Sequence, residues 1–310
     1  MTWHAQLHLD YTLQEQRTVA RYTHQGPLRI LQSLYPEGAD ICHNVLVHPP
    51  GGLVGGDTLQ VAVDAGSGTH ALLTTPGATR FYRSAGAPAR QITQLQLQAG
   101  ARLEWLPLET LCYRDCMAEN HLSLTLAPGA QCLSWDVTAL GWMPEPTHAT
   151  HATHATHATH ATHDAPSANV TRAADPGDAP RPAASGRLLQ HLEIPGVWLE
   201  RGTIAAADQR LLHSPLGLAG YGCLASVFFA SGTPLTHAQR EAALDAARAV
   251  IALHPLAPTA GATSPHPQLL LARMLAPQVE PAMALARALR AAWRAHFWQL
   301  PATAPRVWAL

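Results

Sequence analysis

Two carboxylates stand where a charge is costly. Asp136 interrupts the apolar run Cys132-Leu133-Ser134-Trp135-Asp136-Val137, and Asp57 closes the cluster Pro49-Pro50-Gly51-Gly52-Leu53-Val54-Gly55-Gly56-Asp57. A carboxylate in such surroundings needs an ion partner, hydrogen bonds from a neighbouring loop, or a coordinated cation. Strict alternation also allows Asp136 to point outward. Glu104, inside Leu103-Glu104-Trp105-Leu106-Pro107, and Glu109 just after it pose the same question. His43 and His48 lie on one segment five positions apart, so a regular strand puts them on opposite faces and one ion cannot take both. Cys112 and Cys116 flank Tyr113-Arg114-Asp115 without a helix signal. Buried cysteines usually behave as small hydrophobes.

Several chemistries are excluded. Backbone N–H groups of the glycine cluster could converge on a phosphate, but the spacing fits neither the dinucleotide fingerprint nor the P-loop and leads into a strand. A tight loop with unusual dihedrals is the better reading. All 20 basic residues are Arg and no Lys occurs, which removes Schiff-base chemistry and the P-loop lysine together. Neither a Gly-x-Ser-x-Gly elbow nor an HExxH helix is present, so serine and zinc hydrolysis lack a motif. A carboxylate-pair hydrolase would need Glu104 and Glu109 to face each other across a cleft. The formal net charge is −1 with scattered basic residues, which is no footprint for nucleic acid or anionic lipid. The expectation is a protein that is not an enzyme and that binds neither nucleic acid nor membrane.

Thr147 to His163 repeats His-Ala-Thr, placing His148, His151, His154, His157, His160 and His163 in strict period three. These imidazoles would line one edge of a polyproline II chain, and so many of them imply weak, multivalent affinity for Ni or Zn. Slippage of a short DNA repeat into a tolerated loop accounts for the same pattern without a purpose.

The elements that must hold these groups are mostly strands. A chain of 310 residues, 47% hydrophobic, is long enough for a buried core. Short apolar runs with Pro/Gly turns predict strands at 41–48, 58–64, 70–75, 92–98, 102–106, 122–126, 131–140, 188–194, 197–201 and 223–230. Alternation such as Leu59-Gln60-Val61-Ala62-Val63-Asp64 suggests an antiparallel sheet with one covered and one wet face. Thr236-His237-Ala238-Gln239 has capping-box spacing before a helix to about Leu253, and 280–297 carries Leu285, Leu289, Ala292 and His296 on a helical stripe. The fold class is therefore mainly β, a large antiparallel or mixed strand assembly with two helices near the C-terminus. Residues 1–143 form the β-rich region, and 144–185, poor in apolar surface, read as a disordered insertion. The same domain continues over 186–310. No leader segment or run of about 18 apolar residues is apparent, and the five cysteines (Cys42, Cys112, Cys116, Cys132, Cys223) form no disulfide framework. A cytoplasmic protein is expected.

The block Gly26-Pro27-Leu28-Arg29, Tyr35-Pro36-Glu37-Gly38, Cys42-His43 and His48 to Asp57 resembles the UreD (UreH) family of urease accessory proteins. Thr74-Thr75-Pro76-Gly77-Ala78-Thr79-Arg80-Phe81-Tyr82-Arg83-Ser84, then Leu103 to Pro107 with Glu109-Thr110, and finally Trp293-Arg294 with Pro305-Arg306-Val307-Trp308 are similar to later signatures of that family. Arg80 stands where the family commonly has Lys, and the His-rich stretch replaces a short connection after Gly141. The resemblance implies a β fold with a pair of helices that binds UreF, which recruits the GTPase UreG, while the urease apoprotein subunits dock on the assembly. It further implies transient nickel, with no permanently bound cofactor, travelling through a water-filled passage. Carboxylates or imidazoles spaced for handover suit such a passage. Asp57 and Asp136 are the first candidates, followed by His48, Glu104 and Glu109. The chief alternative is a nickel store or sensor whose working part is the His-Ala-Thr run.

Overall fold

The computed structural model describes residues 2–143 and 185–309. Before residue 144 the chain forms β1 (His4–Gln14), β2 (Arg17–Gln25), β3 (Arg29–Ile30), β4 (Ile41–Val47), β5 (Thr58–Ala65), β6 (His70–Thr74), β7 (Thr79–Phe81), β8 (Ala89–Leu97), β9 (Arg102–Leu106), β10 (Thr110–Cys112), β11 (Met117–Leu126) and β12 (Gln131–Leu140). After residue 184 come β13 (Arg187–Ile194), β14 (Trp198–Ala205), α1 (Gln209–His213), β15 (Cys223–Ser231), α2 (His237–Ala252), β16 (Ala260–His266), β17 (Leu269–Ala276) and α3 (Val279–Trp298).

Burial sorts the strands into two kinds. In β5, Leu59, Val61, Val63 and Ala65 are buried while the residues between them are half-exposed. In β6 every residue is buried. Strands of the first kind lie in a sheet of order β14-β13-β11-β8-β5-β1-β2 and those of the second in a sheet of order β16-β17-β15-β12-β9-β6-β4-β3, with β10 joining β12 and β7, while the edge strands β2, β14 and β16 are largely exposed. The first sheet is wet on its outer face, whereas the second is covered on both, and that difference sets one-face against continuous apolar patterning. One core lies between the sheets. Another joins the outer face of the second sheet to α2 and α3.

The mainly β, mixed assembly with two long helices near the C-terminus agrees with the sequence reading, with the short α1 in addition. Strand direction is where the sequence pattern misleads. The central pairs are parallel, both in the first sheet (β1 with β5, β5 with β8, β8 with β11, β11 with β13) and in the second (β4 with β6, β6 with β9, β9 with β12). After β5, β8 and β11 the chain crosses to the opposite sheet instead of returning beside itself. The turns that make this crossing carry glycines with φ of 70, 70 and 76° at Gly68, Gly100 and Gly129, a region that favours glycine. Alternation is the same for parallel and antiparallel strands with one wet face, so it carries no information about direction.

Thr236 caps α2 through the reciprocal hydrogen bonds with Gln239. On α3 the buried stripe contains Leu285, Leu289 and Trp293, but also Arg290 and Arg294, while Ala292 and His296 are only partly buried. Trp293 Nε1 donates to the Ala243 carbonyl at 3.0 Å, fastening α3 to α2. The predicted disordered insertion and the repeat histidines lie outside the described residues. Among the described residues no helix is long and apolar enough to cross a membrane.

Candidate functional site

Strand alternation decides which candidate side chains reach the layer between the sheets. On β4 the inward row is Cys42, Asn44 and Leu46, and His48 continues it just past the strand end. His43 points the other way, where its Nε2 meets Glu37 Oε1 at 2.8 Å. Beside His48 opens a cavity of about 230 Å³ whose lining includes Leu59 and Val61 from the first sheet, Trp105 from the second, and Arg80 and Gln91. The Nε2 atom of His48 is buried there without a hydrogen-bond partner. Burial lowers its pKa, with Asp57 pulling weakly the other way. A neutral ring with an unengaged nitrogen is a good transient ligand for a first-row metal.

Asp136 lies on the inward row of β12, three strands along the second sheet from β4. It accepts from Asn120 Nδ2 at 2.8 Å, Thr138 Oγ1 at 2.7 Å and Gln190 Nε2 at 3.3 Å. Asn120 and Gln190 belong to the first sheet, so these bonds span the layer. Two pockets of about 290 and 60 Å³ meet at Asp136, Gln190 and Glu200. Burial, helped by Glu200, raises the Asp136 pKa against the opposing hydrogen bonds from Thr138 and Asn120. The result is a carboxylate with neutral donors around it, reachable from a hollow, and not closed into a cage. Burial together with Asp136, Glu109 and Glu280 pushes the Cys223 thiol up to about 12. The Cys112 and Cys116 thiols are both buried and free.

The other carboxylates are engaged in holding the fold. Asp57 is 2% exposed and accepts from Trp3 N at 2.8 Å and Val54 N at 2.9 Å, which seals the glycine loop. At Gly52 a Cβ would come within 2.3 Å of the Tyr82 ring, so the loop is glycine-rich because another chain segment presses on it. Glu104 points away from the inter-sheet layer and is fully buried under α3. Its oxygens meet Arg290 Nε at 2.7 Å, Arg294 Nε at 3.1 Å and His70 Nε2 at 3.5 Å. Burial alone would raise its pKa, yet His70 and the two guanidinium groups hold it down at about 2. Glu109 is half-buried ahead of β10, and Glu104 is occupied by those three partners.

Sequence reasoning missed Arg290, Arg294 and Glu37. A signal existed: Arg290 and Arg294 are four apart and therefore share a helix face in a segment otherwise rich in Ala and Leu, and Glu104 was a carboxylate in search of a partner.

A family model described as UreD urease accessory protein matches residues 4–171 and 176–309. A urease accessory protein UreD of Paracidovorax citrulli is 58% identical over 310 residues, covering all of both chains. The counterparts from Verminephrobacter eiseniae and a Polaromonas species are 58% and 55% identical over 310 residues, again with full coverage of both.

Proposed function

The chain belongs to the UreD family of urease accessory proteins, and on that premise we propose that it is a cytoplasmic, non-catalytic scaffold that works with UreF and the GTPase UreG to deliver nickel to the urease apoprotein. A role in urease maturation follows from the family itself; the route and the partners are the proposed part. One observation supports a route through the protein: an unpartnered imidazole and a hollow-lining carboxylate, His48 and Asp136, both face the layer between the two sheets. Nickel is the cargo here. His48 offers a neutral nitrogen, and Asp136 offers an oxygen surrounded by donors that do not compete for a cation. Neither group has enough ligands nearby to retain the ion, which suits handover. Asp57 and Glu104 belong instead to the framework of that route, since backbone amides and guanidinium groups already occupy their oxygens.

The test is co-purification and activation. The untagged chain is expressed with UreF, UreG and tagged urease apoprotein, and urease activity is measured after nickel is added, with and without the chain. Retention on the tagged urease with chain-dependent activation is the expected result. No retention and no effect would overturn the scaffold reading and favour a nickel store or sensor built on the His-Ala-Thr run.

A further inference from the structure

The outer face of the first sheet carries a donor set that lies apart from the inter-sheet layer. The parallel register of β1 and β5 sets Asp10 directly opposite Asp64, and His8 stands two residues earlier on the same face as Asp10. Its Nε2 lies 2.6 Å from Asp64 Oδ2, and its Nδ1 lies 3.7 Å from Asp10 Oδ2. One ligand atom from each of the three residues falls within 4.8 Å of the others. Adjacent strands are about 4.8 Å apart, so two carboxylates in register repel unless a positive charge sits between them. Arg21 is in register with Asp10 on β2 but forms no ion pair with it among the described residues. The intervening inward residues Leu7, Leu9, Val61 and Val63 are buried, which fixes the backbone that presents the donors.

We infer that His8, Asp10 and Asp64 form a divalent-cation site that ties the β1–β2 hairpin to β5. One imidazole and two carboxylates suit nickel, cobalt or zinc better than calcium or magnesium, which take all-oxygen sets. The three side chains are 42 to 49% exposed, so water completes the coordination. A hollow of about 370 Å³, also lined by Gln6, His24 and Gln60, adjoins His8 but neither carboxylate. This site stands or falls independently of the ion route, because its residues point away from the layer that His48 and Asp136 face.

The experiment uses the full-length chain with the six repeat histidines replaced by Gln, so that their imidazoles do not compete. Ni(II) is titrated calorimetrically into this parent and into its His8→Gln and Asp64→Asn derivatives, and thermal unfolding is followed with and without the ion. The expected result is one binding event in the parent that weakens at least tenfold in each derivative, together with a nickel-dependent rise in melting temperature that both derivatives lose. Superimposable isotherms and equal thermal shifts in all three proteins would overturn the site and leave the His8 imidazolium as the bridge between the two carboxylates. Both residues are half-exposed, so the derivatives are expected to fold as the parent does, which the melting curves without nickel verify.

Discussion

Arg294 on α3 and Glu37 in the turn before β4 are 257 positions apart in sequence and meet at 2.7 Å in the folded protein. Arg294 is fully buried, and its Nε also reaches Glu104. Glu37 in turn meets His43, and Glu104 meets Arg290 and His70. This chain of opposite charges joins the last helix to three strands of the second sheet, and through that sheet it fixes the inward row on which His48 and Asp136 sit. A buried pair adds little over an apolar contact, but a partner left alone is costly.

Glu104→Gln is therefore expected to destabilise the fold by about 3–5 kcal/mol, because it leaves two guanidinium groups buried with half their compensation. Denaturant unfolding measures it. A loss under about 1 kcal/mol would mean that the network relaxes into water when broken.

The same carboxylate sets an acid limit. Glu104 is held at about 2 in the folded chain against an ordinary 4.5, so between those values the unfolded chain binds a proton that the folded chain refuses. Its contribution is full above about 4.5 and is lost as pH falls toward 2. Glu37 is shifted in the same direction: burial opposes, while His43 and Arg294 lower it and prevail. Stability measured from pH 5 to pH 3 should fall more steeply in the wild type than in Glu104→Gln, and parallel curves would contradict the assignment.

Asp57→Ala strips the acceptor from the amides of Trp3 and Val54. The expected loss is about 1–3 kcal/mol, the usual consequence of leaving buried donors unmade. Asp57→Asn keeps one oxygen and should lose less. If both variants unfold like the wild type, the glycine loop does not depend on Asp57.

Much of this was legible in the sequence, and what was not has a physical cause. Ten of the strands appeared because each carries a short apolar run between turns, whereas the short β3, β7 and β10 and the pair β16 and β17 did not; α2 appeared because Thr236 and Gln239 form a local cap. His43 and His48 separated onto opposite faces through the period of two alone. In the β1–β2 hairpin, β2 escaped notice because it is an edge strand with an exposed end, Arg21 to Gln25, and lacks buried alternate residues, whereas β1 carries a legible alternation of Ala5, Leu7, Leu9 and Tyr11 that sequence reasoning missed. Parallel direction escaped because it is set by where a glycine turn sends the chain. Glu104 looked like a site because a lone carboxylate in an apolar strand reads the same whether its partner is a cation in transit or an arginine 186 positions away.

Deleting Thr147 to His163 separates the scaffold from the metal store. A store loses its function with its six imidazoles, whereas a scaffold retains chain-dependent urease activation at saturating nickel. Activation of the deletion variant within about twofold of the full chain is expected, on the ground that a weak multivalent site matters little when the ion is in excess. Abolished activation with normal retention on urease would reverse the conclusion.

Asp136→Asn and His48→Gln test the inter-sheet route most directly. Asn at 136 matches the volume and removes the charge, but its single oxygen serves either Asn120 Nδ2 or the Thr138 and Gln190 donors, so a modest loss of stability is expected and retention on tagged urease verifies folding and assembly. Gln at 48 replaces the imidazole nitrogen facing the cavity. Each loss removes one station for a divalent cation, and the neighbours left behind, Gln91 beside His48 and Asn120 and Gln190 beside Asp136, offer only neutral amides in its place. The expected outcome is retention of the variant on tagged urease at the wild-type level with nickel-dependent activation reduced about tenfold, an effect of the order of one lost charge-assisted contact. The double variant should fall further than either single one if the two groups act in sequence along one path. Wild-type activation by both single variants would remove His48 and Asp136 from the route and leave the space between the sheets as a packing feature only.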